Sequence, residues 1–179
     1  EASITLDVTK PTITAPPDVT VSNTPGLCGA TGVDLGTPVT ADNCGVASVT
    51  NDAPAEFPVG TTTVTWTVTD GHGNQATATQ TVTVTDNEAP TITAPADVTV
   101  GTDAGSCSAT GVDLGTPVTT DNCGIASVTN DAPAVFPKGV TTVTWTVVDA
   151  HGNTATATQT VTVEDREKPV INCPADIEI

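Results

Sequence analysis

Oxygen-bearing side chains recur at fixed places along this chain. Asp42-Asn43 and Asp121-Asn122 each precede a cysteine. Asp70 and Asn74 bracket one short Gly-His stretch, and Asp149 and Asn153 bracket its counterpart. Asp86-Asn87-Glu88-Ala89-Pro90 and Asp165-Arg166-Glu167-Lys168-Pro169 form a third recurring set. Carboxylates and amide carbonyls are hard donors, of which Ca²⁺ takes roughly six to eight. The candidate calcium ligands are therefore Asp42, Asn43, Asp70, Asn74, Asp86, Glu88, Asp121, Asn122, Asp149, Asn153, Asp165 and Glu167. The competing reading is turn chemistry, because Asp and Asn side chains bond nearby backbone and tolerate left-handed conformations. The charge balance favours a cation. The chain has 21 Asp and Glu against 4 Lys and Arg, a net charge of -17, and clustered carboxylates without a counter-ion repel one another.

The other reactive residues point away from catalysis. His72 and His151 fall in turns, with no nucleophile or oxyanion site in view. The chain reads as non-enzymatic. Five cysteines, Cys28, Cys44, Cys107, Cys123 and Cys173, repeat in a spacing that suits disulfides better than metal thiolates. That implies an oxidising, extracellular compartment. The negative charge leaves nothing to neutralise phosphates and so excludes nucleic acid. No apolar run is long enough to span a membrane, so membrane insertion is not expected.

These groups need elements to hold them, and the sequence is self-similar. GVDLGTPVT occurs at 32–40 and 111–119. Asp42 to Asp121, Trp66 to Trp145 and His72 to His151 are each the same 79 residues apart. The units are set at 9–87 and 88–166. Residues 1–8 read as the end strand of a preceding unit or an extra strand. Residues 167–179 read as the first strand of an incomplete third repeat. Such ends suggest a piece of a longer array, or strand exchange between subunits. Within a unit the pattern has period two: Val64, Trp66 and Val68 point inward and the intervening threonines outward. Ala76, Ala78, Val82 and Val84 continue it in the next strand. Trp66 and Trp145 are thus core residues rather than sugar platforms, and Phe57 and Phe136 are core anchors. Aromatic content is 2%, so the core must be thin and aliphatic. The fold class is all-β, a tandem of immunoglobulin-like sandwiches.

The order DNCG, FPVGTTTVTWTVTDGHGN, TVTVTDNEAP resembles the hyalin repeat (HYR) domain. The second unit repeats it as DNCG, FPKGVTTVTWTVVDAHGN, TVTVEDREKP. The resemblance covers nearly the whole chain. It implies an extracellular Ig-like module of adhesion and surface proteins, arranged in arrays and without enzymatic activity. The family carries four cysteines per unit. Here the first position is Ala15 or Ala94 and the fourth Ala78 or Ala157, so both members of one pair are missing together. The resemblance then leaves Cys28–Cys44 and Cys107–Cys123 as the expected disulfides, with cysteines of one unit bonding the other as the competing arrangement. Cys173 restores the first family position. The junction motif is similar to the calcium-bearing linkers of cadherin-type arrays. One difficulty is visible at once: a Cys28–Cys44 bond draws the Asp-Asn loop toward a region that can lie at the opposite end from the Asp-Gly-His-Gly-Asn turn.

The expected function is that of an extracellular structural or adhesive rod or fibre segment, stiffened by disulfides and by calcium at unit junctions. Its partners are neighbouring repeats or identical subunits. Asp7 precedes the first unit, but Thr9 stands where the later junction has Glu88, so an altered site is expected there. The alternatives are a glycan- or protein-binding accessory module and polymerisation by strand exchange.

Overall fold

The computed structural model describes residues 7–172, and the chain divides into two compact units at Glu88/Ala89. Most of the strand expected from residues 1–8, most of that expected from 167–179, and Cys173 lie outside the described residues, and the described parts, 7–8 and 167–172, form no strand. No helix among the described residues is long and apolar enough to cross a membrane.

Unit 1 contains β1 (Thr12–Thr14), β2 (Val19–Ser22), β3 (Gly29–Thr31), β4 (Val39–Ala41), β5 (Val46–Asn51), β6 (Glu56–Pro58), β7 (Gly60–Asp70) and β8 (Gln75–Thr85). Four of them form a sheet in the order β2-β8-β7-β5. The β7–β8 hairpin is its spine, in register from Gly60↔Val84 to Thr69↔Gln75. β5 runs antiparallel to β7, and β2 runs parallel to β8. The opposing layer is made of two short pairs, β1 with β4 and β3 with β6. The Thr-Val alternation dictates this. β-branched residues favour extended backbone, and every second side chain reaches the same face.

The inner face carries the core: Ala30, Phe57, Val64, Trp66, Val82 and Val84 are buried, with Ile13, Val19, Val21, Val33 and Leu35 packed on them. Trp66 and Phe57 are inside, as the alternation requires. One core residue departs from an apolar reading. Gln80 is 1% exposed. Its Oε1 accepts from Trp66 Nε1 at 3.0 Å, and its Nε2 donates to the carbonyls of Pro17 and Leu35 at 2.7 and 3.0 Å. A buried amide is tolerated because its partners are all supplied.

Unit 2 repeats the architecture. It contains β9 (Thr91–Thr93), β10 (Val98–Gly101), β11 (Ser108–Thr110), β12 (Val118–Thr120), β13 (Ile125–Asn130), β14 (Val135–Pro137), β15 (Gly139–Asp149) and β16 (Thr154–Glu164). Its sheet order is β10-β16-β15-β13, over a core of Ala109, Phe136, Val143, Trp145, Val161 and Val163. Gln159 takes the place of Gln80, with Trp145, Ala96 and Leu114 as partners.

The disulfide pairing within units is corrected by this topology. Cys44 and Cys107 are free thiols, whereas Cys28 and Cys123 are disulfide-bonded. Cys28 precedes Gly29, which pairs with Pro58 beside the start of β7. Cys44 precedes β5, whose Val46 faces Asp70 at the end of β7. An extended strand rises about 3.3 Å per residue, so the ends of β7 are roughly 30 Å apart. A disulfide needs Cα atoms within about 7 Å. Cys107 and Cys123 are separated in the same way along β15, by the pairs Ser108↔Pro137 and Ile125↔Asp149.

Candidate metal centre

Each unit has two poles, set by the two ends of the hairpin spine. In unit 1 the β7–β8 turn closes one pole. Asp70 is 2% exposed there. Its Oδ1 accepts the backbone N–H groups of His72 and Asn74 at 2.8 and 2.9 Å, and its Oδ2 accepts Asn74 Nδ2 at 2.7 Å. Burial by itself raises the Asp70 pKa. The bonds from Asn74 and the two N–H groups outweigh it and hold the carboxyl below its ordinary range. Gly73 sits at φ +88, which lets the turn close at this point.

The chain enters unit 1 at the same pole. Asp7 Oδ1 accepts from Thr9 N at 2.9 Å and from Asn43 Nδ2 at 3.3 Å. The Asp7 carbonyl accepts Asn74 Nδ2 at 3.1 Å. The Asp7 pKa falls to about 2, chiefly through the Thr9 N–H. Its side chain is 6% exposed, and Oδ2 lies 3.9 Å from His72 Nδ1. From the β4–β5 loop, Asp42 Oδ2 accepts the Cys44 N–H at 2.7 Å. Asp7 Oδ2 and Asp42 Oδ1 are both buried without a hydrogen-bond donor. Asp7, Asp70 and His72 can each direct a donor atom into a space where all lie within 4.8 Å of one another.

Several sequence candidates therefore converge. Asp42, Asn43, Asp70 and Asn74 share one pole, and Asp7, which the ligand set above omitted, joins them. Three segments supply these side chains: the entering chain, the β4–β5 loop and the β7–β8 turn. The donor set is rich in hard oxygens, and buried carboxylate oxygens lacking donors are the positions a divalent cation satisfies. His72 is half-exposed at the rim.

Unit 2 builds the same turn. Asp149 is 1% exposed and accepts from His151 N, Asn153 N and Asn153 Nδ2 at 2.8, 2.8 and 2.7 Å. Burial pushes its pKa up, but these bonds bring it below the ordinary value. Asp121 Oδ2 accepts the Cys123 N–H at 2.8 Å, while its Oδ1 is buried without a donor. Asn122 Nδ2 lies 3.5 Å from Cys123 Sγ.

The remaining candidates lie at the other pole of their units. Asp86 Oδ1 accepts the Glu88 N–H at 3.1 Å. Glu88 Oε2 accepts Gly26 N at 2.7 Å and Asn23 Nδ2 at 3.4 Å, clamping the β2–β3 loop. In unit 2, Glu167 Oε1 takes the Gly105 N–H at 2.9 Å. Asp165 accepts from Glu167 N and pairs with Lys138 Nζ at 3.2 Å, which lowers its pKa. Within a unit these groups stand a full hairpin length from the turn carboxylates.

Asp7 was findable, because it lies one repeat length before Asp86. Thr9 at the glutamate position argued against it. The structure removes that objection: the Asx turn uses the backbone N–H of residue 9, as it uses that of Glu88, and the Glu88 carboxylate is directed to the β2–β3 loop.

The chain is similar to known proteins. The HYR domain family matches residues 6–84 and 85–163. The chain is 35% identical to hyalin of Lytechinus variegatus over 97% of its own length, and 38% identical to hyalin of Strongylocentrotus purpuratus over 96%. It spans 35% and 15% of those two proteins. Among solved structures, Drosophila N-cadherin EC1-4 aligns over 88% of this chain and 50% of its own, at TM-score 0.46 and 11% identity. Human mucin-like protocadherin EC1-2 aligns over 86% and 98%, at TM-score 0.43 and 15% identity.

Proposed function

The chain belongs to the HYR domain family, a family of non-enzymatic extracellular modules, and from that footing we propose that it is a calcium-binding segment of a structural or adhesive array. The pair of buried carboxylate oxygens, Asp7 Oδ2 and Asp42 Oδ1, carries this reading. A calcium ion bound by Asp7, Asp42 and Asp70 joins the entering chain to two loops of the sandwich. It thereby restricts the freedom of the segment that leads into the domain, which is the property a stiff rod needs. The relatives, several times longer than this chain, favour an array. The binding-module alternative loses support, since Trp66, Trp145, Phe57 and Phe136 are all buried in the cores and leave no exposed aromatic platform.

Thermal unfolding in EDTA, calcium and magnesium tests the proposal. Extracellular modules bind calcium with Kd of about 10⁻⁴ to 10⁻³ M. At roughly 10 mM calcium the linkage is then about 1.4 to 2.7 kcal/mol per site, a rise of several degrees in Tm. Identical melts in all three solutions would reduce the acidic pole to turn chemistry.

A further inference from the structure

We propose that Cys44 and Cys107 are end-to-end covalent links, each forming a disulfide with the opposite-pole cysteine of another copy of the repeat. Every repeat carries one cysteine at each pole, too far apart to bond each other. Cys28 and Cys107 occupy the same position in successive repeats, as do Cys44 and Cys123. One member of each equivalent pair is disulfide-bonded and the other is free. Both positions are thus competent to bond. The two free thiols are exposed, and Cys107 lines an open cleft with Ser106, Glu167 and Lys168.

Charge selects the pairing. The Cys44 pole holds Asp7, Asp42 and Asp70, so two such poles repel. The Cys107 pole holds three of the four basic residues of the chain, Lys138, Arg166 and Lys168. The Lys138 N–H donates to the Cys107 carbonyl at 3.0 Å. Nearby acids are matched there, with Lys138 on Asp165 and Arg166 on Glu164. Two Cys44 poles therefore repel, whereas the Cys107 pole, with Lys138, Arg166 and Lys168 against Asp103, Glu164, Asp165 and Glu167, is close to balanced and raises a smaller barrier.

The chemistry needs a disulfide oxidant, such as oxidised glutathione. One protein thiolate attacks it and releases one thiol. The thiolate of the second copy displaces the other half. One small disulfide becomes two thiols as one protein disulfide forms.

The inference rests on the array reading but not on calcium, so the test is run in EDTA and its failure leaves the melting experiment intact. In a C173S background, C44S and C107S chains are incubated separately and then mixed, in a glutathione redox buffer. Non-reducing electrophoresis reads the outcome, and mapping of the linked peptides identifies the bond. The expected result is monomer in the C107S sample, where only the acidic Cys44 pole carries a free thiol, dimer in the mixture, and a Cys44–Cys107 peptide. A mixture that stays monomeric or yields no Cys44–Cys107 peptide, or a C107S chain that dimerises as readily as the mixture, would overturn it.

Discussion

The two poles of a repeat use the same residue type in opposite ways. At the Glu88 end, the Glu88 carboxylate is matched to Gly26 N and Asn23 Nδ2. At the Asp70 end, three aspartates converge and two of their oxygens are buried with no donor. The Glu88 carboxylate finds its donors within the protein, whereas Asp7 Oδ2 and Asp42 Oδ1 do not. An acidic motif therefore says little until the donors around it are known. What matters is the oxygen left over: Asp7 spends Oδ1 on the Thr9 N–H and keeps Oδ2 buried without a donor.

The largest expected effect comes from a control placed between the poles. Gln80→Leu removes the partner of Trp66 and of the Pro17 and Leu35 carbonyls, and costs about 3 to 5 kcal/mol. Denaturant unfolding should show that loss equally in EDTA and in calcium. Next, Asp70→Asn should abolish the calcium response of unit 1 while keeping part of the turn. Melts of the variant with and without calcium should coincide for that unit, and a retained shift would place the ion elsewhere. Third, Glu88→Ala at the other pole should cost about 1 to 2 kcal/mol and leave the unit 1 calcium shift unchanged. If it removed that shift, the division between poles would fail. The smallest effect is in pH. Asp7 has a folded pKa of about 2 against an ordinary 3.8. The unfolded chain binds the proton more readily, so this contribution is complete above about pH 4 and is lost as pH falls toward 2. Melts across that range in EDTA should slope less for Asp7→Asn than for the native chain.

Much of this was legible in the sequence. Strict alternation placed Val64, Trp66 and Val68 in the core, because a period of two leaves a strand only one way to face. The repeat offset gave two equivalent sandwiches, and the acidic clusters named most of the candidate ligands. Three features were not legible, each for a physical reason. Gln80 interrupts an apolar stripe, and its acceptability depends on carbonyls of Pro17 and Leu35, distant in sequence. The cysteine pairing depends on which end of an 11-residue strand each cysteine sits beside, and spacing along the chain does not report that. The role of Asp7 depends on a backbone N–H, which every residue but proline supplies, so the change from Glu to Thr carried no information about it.

The parallel pairing of β2 with β8 has a mechanical meaning. The chain enters ahead of β2 and leaves after β8, and the two strands run side by side in the same direction, Val19↔Val82 through Ser22↔Thr85. Tension applied between the entry and the exit slides these strands lengthwise past one another. Their hydrogen bonds then resist together, as in a lap joint, and do not open one at a time like a zip. A repeat built this way should rupture at high force when stretched from its ends. Pulling it through residues on β5 and β7, an antiparallel pair loaded across its ladder, should need far less.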